Sequence, residues 1–272
     1  MGKKCSIIIP TKDKNSRLYL TLKCLEAQAD ENTEVLVVFD GCKEETLAEF
    51  ETFKWDMDLK PIVSVKNVGR AAARNLGLKQ ATGDVVIFLD DDRLTRSDFI
   101  ERHLSHHTGE PCVALGERMD AKVTEDELLE LMKENELKDV LSFVSDHSKK
   151  EFYYNIKKIF VKNPYGKYRF MTFITGNVSI DRTLMTDIEG FDENFKGWGY
   201  EDTDVGYRLA QKNIPYVQDN SIICYHLLHA HVKAQKSKEE LMNLKHLKAK
   251  FPDDKVLGSA ICFYSVKAKL KL

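Results

Sequence analysis

Apolar positions in the first half of the chain fall into short runs separated by helical patterns. The runs are Ser6–Pro10, Glu34–Asp40, Pro61–Val65, Asp84–Leu89 and roughly Cys112–Leu115. Between them, Arg17–Ala29, Lys43–Lys54, Gly69–Gln80 and Thr95–His107 space apolar residues three or four apart, as Leu18, Leu22 and Leu25 are spaced. Strands alternating with helices of this kind predict β-α units and a mainly parallel sheet with helices on both faces. Asn75-Leu76-Gly77 and Ala81-Thr82-Gly83-Asp84 supply the expected helix ends and turns. Thr124–Lys150 is charged and helical, an insertion that covers a site or leads into one. Lys236–Phe251 predicts an amphipathic helix with Leu241, Leu244, Leu247 and Phe251 on one face. The tail Val266–Leu272 alternates Lys with apolar residues; an edge strand or a frayed end is expected, with peripheral membrane contact as the alternative.

The polar residues fall where a parallel sheet would gather them. The first strand ends in Pro10-Thr11-Lys12-Asp13 and the second in Asp40-Gly41. The third leads through Asn67 and Gly69 to Arg70, and the fourth ends in Asp90-Asp91-Asp92. Ligands of open parallel sheets bind beyond the carboxyl ends of the strands, so four strands aim polar groups at one edge. No G-x-G-x-x-G follows the first strand and no G-x-x-x-x-G-K-[ST] exists, which excludes a Rossmann dinucleotide site and a P-loop. Three adjacent carboxylates repel one another, and a hard divalent cation such as Mg2+ or Mn2+, completed by substrate phosphates, relieves that repulsion. Helix capping alone would not require them, because Thr95 and Ser97 are available as caps.

Charge and composition narrow the class. With 41 basic against 43 acidic residues and a formal net charge of -2, the chain lacks the basic footprint of a nucleic-acid binder. No apolar run approaches a membrane span of about 18 residues. Six scattered cysteines without a C-x-x-C pair read as free thiols in a reducing compartment. Met1-Gly2-Lys3-Lys4-Cys5-Ser6 fits the loose myristoylation pattern, but a strand starting at Ser6 would tie that end down, and a cytoplasmic location is expected. The 272 residues show no repeat and no linker, and one domain is expected.

Two later segments carry chemistry. Gly197-Trp198-Gly199-Tyr200-Glu201-Asp202-Thr203-Asp204 puts an indole in a glycine-flanked loop and carboxylates at a helix start. It reads either as an acidic first turn beside a core tryptophan or as a general base beside an aromatic wall. Tyr225-His226-Leu227-Leu228-His229-Ala230-His231 reads either as structural histidines or as metal ligands.

The ordered set of Ser6-Ile7-Ile8-Ile9-Pro10-Thr11, Asp40-Gly41, Asn67 through Asn75 and Gly83 through Asp92 resembles family 2 glycosyltransferases, whose GT-A fold is a nucleotide-binding α/β sheet. Gly190-Phe191-Asp192-Glu193 and Gly197 through Asp202 resemble the acceptor-side motif of β1,4-galactosyltransferases and chondroitin-polymerase-type enzymes. The resemblance covers most of residues 5–231. It implies a nucleotide-sugar half at 1–115, a donor/acceptor half at 116–231 and a C-terminal helix and tail at 232–272. It also implies metal-dependent, inverting transfer of a hexose or N-acetylhexosamine from a UDP-sugar to a glycan, lipid-linked or peptide acceptor. A retaining transferase and a non-catalytic nucleotide-sugar-binding subunit are the alternatives. By the same resemblance Pro10, Thr11, Asp13 and Asp40 lie around the uridine, with Arg70 or Arg74 near the base or diphosphate and Asp91 beside them. Asp90 and Asp92 form the D-x-D pair, and with His226 they hold Mn2+ or Mg2+. Asp202 matches the base, Glu201 and Trp198 flank the sugars, and Thr175-Gly176-Asn177 meets the donor sugar. Two departures stand out: one acidic residue, Asp40, precedes Gly41 where two are usual, and Tyr200 replaces a common glycine.

Overall fold

Ile7, Ile8 and Ile9 are all fully buried because β1 (Cys5–Thr11) has a strand on either side and helices over either face. The computed structural model describes residues 3–150, 158–229 and 233–270. In it β1 pairs in parallel with β2 (Thr33–Asp40) and with β4 (Val85–Leu89), and β2 pairs in parallel with β3 (Asp58–Ser64). Successive residues of a strand point to opposite faces. Ile8, Leu36, Val38, Val86 and Phe88 therefore share one core with Ala71 and Ala73 of α3 (Arg70–Gln80). Ile7, Ile9, Val35, Val37, Phe39 and Ile87 share the other with Leu18, Leu22 and Leu25 of α1 (Asn15–Glu26) and Phe50 of α2 (Glu44–Thr52).

Gly77 does not end α3, as its sequence context suggested, but lies inside it. A Cβ there would sit 2.5 Å from Cγ2 of Ile8 and 3.3 Å from Cγ2 of Val38, so the missing side chain lets the helix lie close on the sheet. Gly77→Val is expected to destabilise the fold by about 1–3 kcal/mol, read as a lower urea midpoint at unchanged slope.

Beyond β4 the sheet changes character. Among the described residues it has nine strands: β3, β2, β1 and β4 are followed by β8 (Asn177–Asp181), β6 (Val113–Ala121), β9 (Tyr216–Leu227) and β5 (Arg93–Thr95), with β7 (Ser148–Lys150) beside β6. β8 (Asn177–Asp181) pairs antiparallel with both β4 and β6 (Val113–Ala121), and β6 runs parallel to β9 (Tyr216–Leu227). The expected helix over Thr95–His107 is instead two elements. β5 (Arg93–Thr95) pairs antiparallel with β9, and only then does α4 (Phe99–Ser105) begin. Thr95 is thus a strand residue, and neither it nor Ser97 caps α4, whose N-cap is Asp98.

Thr124–Lys150 forms α5 (Glu125–Glu134), opened by a Thr124/Glu127 capping box, then α6 (Leu137–Asp146) and β7. Its Leu128, Val140 and Val144 pack on Leu20, Leu94, Tyr225 and Leu227. Among the described residues four α-helices follow: α7 (Arg182–Asp187), α8 (Glu201–Gln211), α9 (Lys233–Lys250) and α10 (Lys255–Leu270). The tail expected to be an edge strand or a frayed end is therefore helical to Leu270. On α9 the expected apolar face packs at its C-terminal end, where Leu247 is fully buried and Phe251 lies against Tyr207, whereas Leu241 is 54% exposed. No helix among the described residues is long and apolar enough to cross a membrane. The six cysteines are free.

Candidate active site

The carboxyl ends of β1, β2 and β4 open onto a cleft of about 520 Å3 whose other walls come from Phe173–Thr175, Trp198–Thr203 and His226 with His229. Of the residues singled out from sequence, Pro10, Thr11, Asp40, Arg70, Arg74, Asp90, Asp91, Asp92, Trp198, Glu201, Asp202 and His226 line it. Asp13 and Asn177 do not line it. Asp13, at φ 52°, turns its carboxylate to the start of α2, where Oδ1 accepts from the Lys43 N–H and the Thr46 hydroxyl at 2.9 Å each. Asn177 is buried in the sheet, donating to the carbonyls of Glu117 and Ile222 and bonding Nε2 of His103 at 2.9 Å. Thr175 lines the cleft, whereas none of Thr124–Lys150 does.

Asp40 shapes the loop into α3. Its two oxygens accept from the N–H groups of Val68 at 2.6 Å and Gly69 at 3.0 Å. Gly41 follows at φ +65°, where a Cβ would lie 2.3 Å from the nitrogen of Asn67, so only glycine permits that approach.

Strand pairing brings the aspartates to the histidines. Arg93 of β5 stands opposite His226 of β9, and the Leu227 N–H donates to the Asp92 carbonyl at 3.0 Å. Oδ2 of Asp92 then lies 3.4 Å from Nε2 of His226 and 3.6 Å from Nδ1 of His229. One ligand atom from each of the three residues falls within 4.8 Å of the others. His229, unplaced by the family motif, joins this group, whereas His231 lies outside the described residues. Burial holds the proton affinity of His229 below its ordinary value, which leaves a lone pair for a ligand. Two imidazoles with one carboxylate suit a first-row transition ion such as Mn2+ better than Mg2+, which favours oxygen donors and water.

The carboxylate run is electrostatically divided. Burial opposes ionisation of all three, but Arg74 and Arg93 hold Asp90 below the usual range, and His226 and Arg93 do so for Asp92. For Asp91, burial and the neighbouring Asp92 outweigh the Thr11 hydroxyl, which donates to it at 2.6 Å, and the charge of Arg70, and push its carboxyl up to about 7.

Arg74 is the joint between the two sides of the cleft. Its guanidinium, 2% exposed, lies 3.1 Å from Asp90, 3.3 Å from Glu201 and 3.9 Å from Asp202. It therefore engages carboxylates, while Arg70, Lys12 and Lys14 are the cations toward the cleft mouth. Asp202 also accepts from the Thr175 N–H at 3.2 Å and the Thr175 hydroxyl at 3.0 Å. Burial and the adjacent Glu201 push its carboxyl up to about 7, near the value a general base needs. Tyr200, immediately before this pair, has φ 70°, a left-handed backbone that glycine takes without strain.

Sequence reading passed over Arg93, Arg118 and Asp120. Nδ1 of His226 lies 3.0 Å from Asp120, which stands beside it in the β6–β9 register, and 2.8 Å from Nη2 of Arg118. Arg118 can only donate and Asp120 can only accept, so the two contacts favour opposite tautomers; with the proton on Nδ1 and given to Asp120, the Nε2 lone pair faces Asp92. Burial disfavours the charge on Asp120, yet His226 and Arg118 keep its carboxyl below the usual range. Two charged residues one apart in a strand share a face, and Arg118-Met119-Asp120 after an apolar run carries that signal.

Comparison with known proteins gives matches along most of the chain. The family model described as glycosyl transferase family 2 matches residues 6–185, and that of the N-terminal domain of galactosyltransferase matches 155–250. The chain is 31% identical over 258 residues to the uncharacterized glycosyltransferase YfnE of Bacillus subtilis, covering 83% of this chain and 65% of the relative. It is 29% identical over 244 residues to the chondroitin synthase of Pasteurella multocida, covering 81% of this chain but 24% of that one. It therefore spans less than two thirds of either relative. Among solved structures, the mannosyltransferase PcManGT from Pyrobaculum calidifontis in complex with GDP-Man and Mn2+ superposes with a TM-score of 0.63 at 15% identity, covering 93% of this chain and 65% of that one.

Proposed function

The chain belongs to glycosyl transferase family 2 and has the GT-A fold, and from that premise we propose that it moves a hexose or N-acetylhexosamine from a UDP-sugar to an acceptor hydroxyl, with inversion at the anomeric carbon. The observation that carries this reading is one cleft holding both a metal-ligand group, Asp92 with His226 and His229, and a buried carboxyl near neutrality, Asp202. The chondroitin synthase relative and the mannosyltransferase complex support a nucleotide-sugar donor and a divalent ion.

Each group then has a task. Asp92, His226 and His229 would hold the ion, with Asp120 beside His226, whereas Asp90, expected as the other half of the D-x-D pair, faces Arg74 and Arg93. Such an ion would supply Lewis-acid stabilisation of the charge that collects on departing UDP. Pro10, Thr11 and Asp40 border the nucleoside, and Lys12, Lys14 and Arg70 add positive charge toward the phosphates. Asp202, held by Thr175, takes the acceptor proton as that oxygen attacks the anomeric carbon. Trp198 and Glu201 border the sugars, and the indole excludes water, which competes as a nucleophile. In this reading residues 1–115 bind the donor nucleotide, 116–231 bring donor and acceptor together, and 232–272 complete a single catalytic domain. The expected setting is the cytoplasm, with a glycan, lipid-linked sugar or peptide as acceptor.

A panel of UDP-sugars tests the proposal. With Mn2+ present, one UDP-hexose or UDP-N-acetylhexosamine is expected to release UDP several-fold faster when a glycan acceptor is added, and less so with Mg2+. No UDP release from any donor, alongside no UDP binding in calorimetry, would sink it.

A further inference from the structure

Beside the buried Leu247, α9 meets the rest of the molecule through a polar stripe. Glu239, Asn243, His246 and Lys250 are spaced four, three and four residues apart, the spacing of one helix face. All four bond to the segment from Asp192 to Asp204. Glu239 accepts from the Trp198 N–H at 3.1 Å. The Asn243 amide accepts from the Lys196 N–H at 3.2 Å and donates to the carbonyls of Lys196, Trp198 and Gly199 at 2.9, 3.2 and 2.9 Å. His246 lies 3.2 Å from Asp192, and Lys250 lies 2.8 Å from both Asp192 and Asp204. Gly197, at φ +71°, takes a backbone that other residues adopt only with strain, and a Cβ there would stand 2.4 Å from the Glu239 carboxyl carbon and push that side chain off the loop.

Adhesion alone would not select these residues. Buried polar groups cost free energy unless bonded, and leucines would glue a helix down without directional demands. Asn243 is 4% exposed, and both ends of its amide are used on backbone groups of the Trp198 loop. Hydrogen bonds to consecutive carbonyls fix where a loop lies and not merely that it is covered.

We propose that α9 is a splint for this loop and that Asn243 is a positioning residue for sugar transfer, setting the indole of Trp198 and the start of α8, and through it Asp202, against the acceptor hydroxyl. The inference rests on the acceptor-side reading of Trp198 and Asp202. Loosening the splint acts on the acceptor side, because the contacts of the stripe given above go to the segment from Asp192 to Asp204. It lets the acceptor drift and admits water, and a misplacement of about 1 Å is worth about a hundredfold in rate.

The test uses the full chain with Trp55→Phe, which leaves Trp198 as the single tryptophan. Asn243→Ala breaks the splint from the helix side and Gly197→Ala from the loop side. In both, acrylamide quenching of Trp198 fluorescence is expected to rise at least twofold, with the affinity for UDP and Mn2+ within about twofold. Acceptor-dependent transfer is expected to fall about a hundredfold while donor hydrolysis persists, so the ratio of hydrolysis to transfer climbs. Lys248→Ala, on the exposed side of α9, should change none of these. A merely structural role would lower thermal stability and donor affinity together without shifting that ratio. Unchanged quenching in both variants, or transfer within threefold of the parent, overturns the proposal. Should Asn243→Ala fail to fold, Gly197→Ala decides. Should the parent transfer to no acceptor, the functional reading fails separately, and quenching alone still tests the splint.

Discussion

Asp202→Asn is expected to lower kcat by a hundredfold or more while leaving the affinity for UDP and Mn2+ within about twofold. The amide keeps the size of the carboxylate and one acceptor for Thr175, but it cannot take a proton. Because the Asp202 carboxyl is pushed up to about 7, the parent should lose kcat/KM about tenfold per unit as pH falls below that value and level off above it. The variant should lose that arm of the profile. Linkage has the opposite sign for stability. A carboxyl raised above its ordinary 3.8 favours the fold while protonated, and that contribution fades as pH rises from about 4 through about 7. At pH 8 the variant should therefore melt no lower than the parent, which separates lost chemistry from lost folding. Retained transfer would remove Asp202 as the base and favour a retaining mechanism, and NMR of the product anomer would decide that point.

Replacing Asp92 has the second large effect. Asp92→Asn should weaken UDP binding in Mn2+ by a hundredfold or more and make the residual binding indifferent to the metal, by calorimetry. Oδ1 of Asp92 is buried and lies 3.3 Å from Arg93, so the neutral isostere tests the charge without opening a cavity. His226→Ala should behave alike, and Asp120→Asn should cost about ten- to a hundredfold in metal affinity by loosening the imidazole. Full metal dependence in Asp92→Asn would disprove the assignment.

Much of the donor side is legible in the chain because it is local. Apolar runs give β1 to β4, and their polar ends give Thr11, Asp40 and Asp90–Asp92. What stays hidden depends on partners far away in sequence. β5 is three residues long and is a strand only because β9 lies beside it, and that same pairing sets Arg93 opposite His226. Asp120 becomes informative only in the β6–β9 register. Asp13 and Asn177 carry suitable side chains that turn to the α2 start and to sheet carbonyls, which no spacing rule reveals. On α9 the leucine periodicity finds Leu247 and Phe251, which pack, but it misses the polar residues beside them, whose partners lie in the Trp198 loop.

Arg74 has a consequence for how such a protein can diversify. In the proposed reading the groups that would grip the nucleotide come mainly from the segment before residue 121, whereas the opposite wall comes mainly from residues 173–203, braced by α9. The two halves of specificity are thus drawn on separate stretches of chain and can be rewritten separately, by drift or by grafting a chimera. Arg74, shared among Asp90, Glu201 and Asp202, is the seam that any such exchange has to keep intact.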